Sequence, residues 1–270
     1  MGQTDVEKRS ELPQTRVRVR DDLRKLGVSA GEMLMVHSSL SSLGYVVGGA
    51  QTVVEALMEV VTPTGTLVMP SQSGDWSDPA RWEAPPVPES WWQTIRAEMP
   101  AYNPRLTPVL GMGQVVEQFL KYDAVFRSPH PKLSFAAWGA GAEELVRHHP
   151  LDDGLSDHSP LGEMYRKQAR VLFLGTDYHS CTAFHLAEHR AGVVDEITDG
   201  APVLENDQRR WKWYRDFDYR TDCFAAIGEA WERRGNVIRG KVGSAEVRLF
   251  PLKEAVDFAE EWLRNEGSRK

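Results

Sequence analysis

The 270 residues are 41% hydrophobic and 26% charged, which suits a full core in one large or two small domains. The 32 basic and 39 acidic residues leave a formal charge of −7, which argues against nucleic acid as a partner and favours a cationic ligand. Cys181 and Cys223 make no disulfide framework, the N-terminal dozen residues are polar, and no apolar run approaches the ~20 residues that span a bilayer. The expectation is a cytoplasmic protein with no membrane partner, a monomer or homodimer.

Residues 1–13 read as a flexible tail closed by Pro13, and residues 14–270 as a single domain. Thr15 to Leu26 has helical periodicity, and Gly27 stands where a C-cap glycine belongs. Glu32 to His37 reads as a strand. It runs into a small-residue loop, Ser38 to Gly44 with Gly48-Gly49, before a periodic helix from Ala50 to Val61. Strand, small-residue loop, helix is an arrangement that suits phosphate, although neither glycine-rich phosphate motif has its full spacing here. Gly65 to Pro70 is a second short strand. Residues 71–110 are irregular and rich in proline and tryptophan, with one short helix near Ser90 to Met99. Trp76, Trp82, Trp91 and Trp92 serve there either as walls around a ligand or as packing anchors.

Further on, the pattern predicts a helix from Gly113, a strand from Leu133 to Trp138, and helices from Ala140 and Leu161. A hairpin over 201–219 should turn at Glu205-Asn206-Asp207, and a strand pair over 237–249 at Gly243-Ser244. Helices are expected over Asp222 to Arg233 and Pro251 to Asn265. Early alternation of strand and helix predicts an α/β fold with a largely parallel sheet covered on both faces and antiparallel additions toward the C-terminus.

The chemistry concentrates at Val171 to Gly192, where a buried strand stops at Gly175 and feeds a polar loop, then a helix. In open α/β sheets that junction is where ligands bind. His185, Glu188 and His189 share one helix face. They fit an inverted zinc-protease pattern, with Glu196 or Glu205 as a third ligand, or a metal-free general base held by a carboxylate. An ordinary polar helix face is the third reading. Asp216, Asp218 and Asp222 cluster after an aromatic strand. Asp216 and Asp218 stand two apart on a strand, so both side chains leave one face, where a cation could lie between them.

Taken in order, several stretches resemble the aminoglycoside 3-N-acetyltransferase family, which has the antibiotic N-acetyltransferase fold and is distinct from the GNAT acetyltransferases. They are His37-Ser38-Ser39-Leu40, Gly65 to Ser71, Arg127 to Pro131 with Ser134 to Ala137, His158-Ser159-Pro160, Leu174-Gly175 with Thr182 and His185 to Glu188, and Asp216-Phe217-Asp218. The resemblance implies a three-layer α/β/α fold and acetyl-CoA as co-substrate, with no metal. It implies His185 as catalytic histidine, Asp218 as an acidic residue near it, His158 as a second active-site histidine and Thr182 near the thioester. Coenzyme A would lie along His37, Ser38, Ser39, Leu40, Gly49, Ser71, Ser128 and Ser134. The acidic region from about 200 to 235 would meet the drug through Asp216, Asp218 and Asp222.

Acetyl transfer to an amine needs a base of near-neutral pKa, a carboxylate such as Asp218 or Glu188 to orient it, and a donor for the thioester oxygen. Thr182 or a backbone N–H near Cys181 would supply that donor. Cys181 as an acyl carrier is the weaker choice. A zinc-dependent hydrolase and a non-enzymatic ligand-sequestering protein are the alternatives of other classes.

Overall fold

The computed structural model describes Ser10 and residues 12–267. Of the tail expected over 1–13, all but Ser10, Leu12 and Pro13 lies outside the described residues. The first helix, α1 (Arg16–Leu26), shows how local chemistry sets the element boundaries. The Thr15 hydroxyl accepts from Arg18 N–H at its start, and Gly27, at φ 98°, closes its end. Its apolar stripe of Val19, Leu23 and Leu26 is buried.

Next come β1 (Met33–Ser38), α2 (Gly49–Val61), β2 (Thr66–Pro70), α3 (Trp92–Glu98), α4 (Gln114–Phe119), β3 (Phe126–Arg127), β4 (Phe135–Gly139) and α5 (Ala142–Arg147). The second half holds α6 (Pro160–Arg166), β5 (Arg170–Leu174), α7 (Ala183–Ala191), β6 (Glu196–Glu205), β7 (Gln208–Phe217), α8 (Phe224–Glu232), β8 (Ile238–Val242), β9 (Ala245–Pro251) and α9 (Leu252–Gly267).

Seven strands form one sheet in the order β3-β4-β2-β1-β5-β9-β8. Its centre, β2-β1-β5, is parallel. Its flanks are antiparallel. The central strands are buried on both faces, so their sequences are continuous apolar runs such as Val171-Leu172-Phe173-Leu174. Alternate residues enter opposite cores. Val171 and Phe173 pack with Leu161, Leu186, Ile227 and Val256 from α6, α7, α8 and α9. Leu172 and Leu174 pack with Leu23, Leu57 and Val116 from α1, α2 and α4. This is a three-layer α/β/α arrangement, and each large side chain buried this way contributes about 1.5–3 kcal/mol.

β6 and β7 pair over ten residues as a separate two-stranded sheet, longer than the hairpin expected over 201–219. The turn falls at Asn206 and Asp207, both with positive φ, as a two-residue hairpin requires. The proline-rich stretch 71–110 is tied to this hairpin. Asp78 N–H donates to Asp199 Oδ1 at 2.9 Å, Tyr102 N–H to Pro202 O at 2.8 Å, and Arg209 Nε to Met99 O at 2.8 Å. Its tryptophans behave as anchors: Trp76 Nε1 donates to Pro100 O and Trp82 Nε1 to Ser77 Oγ.

Candidate active site

The C-terminal ends of the three parallel strands meet the start of α7, the position where such sheets carry ligands. His37 and Ser38 end β1, Pro70 ends β2, and Thr176 follows β5. All four line a cavity of about 280 Å³, together with Thr182 and His185. Gly175 lets β5 turn into this site. It sits at φ 77°, and a Cβ there would lie 2.6 Å from Ser42 Cβ.

His185 and Glu188 lie three apart on α7, close enough to pair. His185 Nδ1 and Glu188 Oε2 are 2.7 Å apart, and Glu188 is 2% exposed. The other oxygen, Oε1, accepts Arg220 N–H at 3.3 Å. A buried carboxylate needs such partners to remain ionised. With Nδ1–H donated to Glu188, Nε2 carries the free lone pair. Tyr219 and Phe224 flank the imidazole, with ring centroids 4.9 Å away. The carboxylate that orients His185 is therefore Glu188.

His37 is the second imidazole at this cavity. Burial first, and the neighbouring His185 second, lower its pKa to about 3. It stays uncharged near neutrality.

A groove of about 580 Å³ adjoins the cavity. Ser38, Ser39, Leu40 and Gly49 line one bank, and Gly111, Met112, Gly113 and Gln114 the other. Among the described residues no Lys or Arg lines it. No side chain caps the start of α2 beside it, which leaves first-turn N–H groups for an anion. The strand-loop-helix reading of residues 37–49 thus corresponds to a real concavity. The bank at 111–114 was missed. Its signal was two glycines around Met112 at the end of the proline-rich stretch; both have positive φ, 72° and 83°.

Several expected contacts are corrected. Ser71, Ser128 and Ser134 are wholly buried and line neither the groove nor the cavity. Their hydroxyls serve the core: Ser134 Oγ accepts from Arg127 Nε at 3.0 Å, lies 3.2 Å from Ser71 Oγ, and Ser128 Oγ lies 2.8 Å from His149 Nδ1. Asp216 is also wholly buried. Lys132 Nζ lies 2.7 Å from it and 2.8 Å from the buried Asp199, so the cation between carboxylates is the protein's own lysine. β7 ends at Phe217, which breaks the two-residue alternation. Asp218 and Asp222 are exposed and line neither space, although Thr221 between them lines the cavity. His158 is exposed and lines a separate hollow with His148 and Glu163.

The backbone donors expected near Cys181 are engaged: Cys181 N–H reaches Tyr178 O and Thr182 N–H reaches Ser180 O, each at 2.9 Å. The Thr182 side chain lines the cavity. Burial pushes the Cys181 thiol up to about 12, so it is no nucleophile. His189 packs edge-on against Phe217, while Glu188 faces His185. Among the described residues no three His, Cys, Asp or Glu side chains come together as metal ligands.

An α/β/α fold that carries a histidine–carboxylate pair beside a groove is suited to acid–base chemistry on a bound ligand. The sequence profile of the aminoglycoside 3-N-acetyltransferase family matches residues 35–264, and the chain belongs to that family; it is an acyltransferase. It is 49% identical to a Bacillus subtilis protein, the SPbeta prophage-derived aminoglycoside N(3')-acetyltransferase-like protein YokD, over 96% of this chain and 95% of that one. The crystal structure of YokD superposes with a TM-score of 0.97, covering 99% of both chains at 48% identity. Aminoglycoside N(3)-acetyltransferase IX of Micromonospora chalcea is 35% identical over 93% of this chain and 94% of its own. Two solved structures similar to this chain hold ligands. AAC-IIIb, binary with CoASH, has a TM-score of 0.83, 27% identity and coverage of 94% of this chain and 98% of its own. AAC-VIa bound to sisomicin has a TM-score of 0.84, 29% identity and coverage of 94% and 99%. No described helix is long and apolar enough to cross a membrane.

Proposed function

We propose that this enzyme transfers the acetyl group of acetyl-CoA to the 3-amino group of the 2-deoxystreptamine ring of aminoglycosides, by direct attack with His185 as general base. The observation that carries the reading is His185, paired with the buried Glu188, lining a cavity that adjoins an uncapped helix start and its groove. The ligands of AAC-IIIb and AAC-VIa support the same pair of substrates.

In this reading the coenzyme phosphates lie in the groove near Ser38, Ser39 and Gly49, where the positive end of α2 attracts anions. The thioester reaches the cavity beside Thr182. The amine enters from the side of Thr221, where Asp218 and Asp222 stand exposed to attract a polycation. His185 Nε2 takes the proton that the amine loses as it attacks the thioester carbon. The Thr182 hydroxyl donates to the oxygen as it gains charge. Collapse breaks the carbon–sulfur bond, the coenzyme thiolate takes the proton from the imidazolium, and the products are amide and free thiol. Glu188 holds the tautomer and stabilises the imidazolium. No metal and no covalent acyl-enzyme takes part.

The test is a thiol-release assay with acetyl-CoA and a panel of aminoglycosides, with the product located by mass spectrometry. Release that depends on the drug, with the acetyl group on the 3-amino nitrogen, is the expected result. Acetyl-CoA turnover indifferent to every aminoglycoside, or acetylation elsewhere, overturns it.

A further inference from the structure

The groove and the cavity meet at three residues, Ser38, Gly111 and Met112, which line both. Any group carried from the groove to His185 must pass them. Only Met112 has a side chain large enough to obstruct that passage. It is held between Gly111 and Gly113, whose positive φ angles disfavour other residues. Leu110 N–H donates to Gln72 O at 3.0 Å and Glu117 N–H to Gly113 O at 3.2 Å, which fixes the turn at both ends. Met112 is half-buried and packs against the core on the α2 side of the sheet. Ser38 supplies the other bank, with a buried hydroxyl that has no hydrogen-bond partner among the described residues. The passage therefore has one flexible apolar bank and one polar bank.

We propose that Met112 sets which acyl groups the enzyme accepts, by limiting what passes from the coenzyme groove to His185. The inference rests on the acetyl-CoA reading above and names the residue that makes the donor acetyl rather than longer. The cavity beyond the passage does not impose that limit. Its 280 Å³ equals the liquid volume of roughly nine waters, more than a two-carbon group requires. An unbranched thioether tolerates small adjustments and resists larger ones, which suits a residue that grades chain length.

The test compares acetyl-, propionyl- and butyryl-CoA as donors to one aminoglycoside, for the wild type and for Met112→Ala, Met112→Leu and Met112→Trp. Met112→Ala should raise the butyryl-to-acetyl ratio of kcat/KM about tenfold or more, the discrimination that a methylene or two supplies in an apolar site. Met112→Leu, which conserves volume, should leave the ratio within about threefold. Met112→Trp should lower kcat/KM for all three donors, most for butyryl-CoA. Unchanged donor ratios in folded Met112→Ala and Met112→Trp, with wild-type Tm, overturn the proposal. If no aminoglycoside is acetylated, the function reading fails on its own. The relative affinities of the proteins for acetyl- and butyryl-CoA, measured by calorimetry without amine, then decide the role of Met112: a ratio moved by Met112→Ala sustains it, and an unmoved ratio overturns it.

Discussion

Two buried clusters in this molecule have nearly the same ingredients. In one, Glu188 holds His185. In the other, Asp199 and Asp216 hold Lys132. The first leaves one nitrogen of its base free on a ring that lines a cavity. The second lines neither the cavity nor the groove, and its charges answer one another. Burial pulls the Lys132 ammonium down, but Asp216 and Asp199 more than offset this and its pKa is raised. The comparison teaches that a carboxylate beside a base becomes chemistry only where a reactant can reach the base. Elsewhere the same pair fastens segments, here the loop at Lys132 to β6 and β7.

The sharpest way to break the comparison is to remove the two nitrogen bases. His185→Ala should cut kcat by about 10²–10⁴ and leave coenzyme affinity nearly unchanged, read from steady-state kinetics and calorimetry. A variant that keeps more than a tenth of wild-type kcat takes His185 out of the role. Lys132→Met should do the reverse. It strands two buried carboxylates and should cost about 3–5 kcal/mol in urea denaturation, while kcat per folded molecule holds. Loss of kcat without loss of stability would make the second cluster catalytic after all.

Acid offers a gentler probe. His37, His130 and His149 all have pKa values lowered chiefly by burial, to about 3 for His37 and about 4 for His149. Their folded values lie below the unfolded 6.5. The stability tied to their neutrality is therefore complete above pH 6.5 and is lost as pH falls toward those values. His37 and His149 should each contribute a loss of about 1.5 kcal/mol between pH 6.5 and 5, and His130 acts in the same direction. Equal denaturation midpoints at pH 7 and pH 5 would contradict this.

Two substitutions refine the substrate side. Ser39→Asp puts a like charge beside the proposed phosphates and should raise KM for acetyl-CoA about tenfold, with little change for the amine. An unchanged coenzyme KM moves the phosphates elsewhere. Asp218→Asn removes an exposed charge, so its effect on aminoglycoside KM should not exceed about fivefold and should vanish in high salt. A salt-independent rise would mean a direct, desolvated contact instead. Asp216→Asn, by contrast, belongs with Lys132→Met as a change in stability.

Much of the fold was legible because it follows from local rules. Apolar runs mark strands buried on both faces, Gly27 marks a helix end, and Asn206-Asp207 marks a hairpin turn. His185 and Glu188 were legible as neighbours, because three residues along a helix place side chains together wherever the helix lies. What lay beyond local periodicity was decided by tertiary structure. A serine reads the same whether its hydroxyl faces a coenzyme groove, as at Ser39, or a buried guanidinium, as at Ser134. Asp216 and Asp218 are two apart in sequence, yet the strand ends between them, and one is buried against Lys132 while the other meets solvent. Met112 carries no signal of its own until the chain brings residues 38 and 112 to one passage. Sequence by itself determined which segments would be buried and which side chains would be neighbours along a helix or turn. Long-range packing decided which polar groups kept a free atom for a ligand, because that depends on partners dozens of residues away.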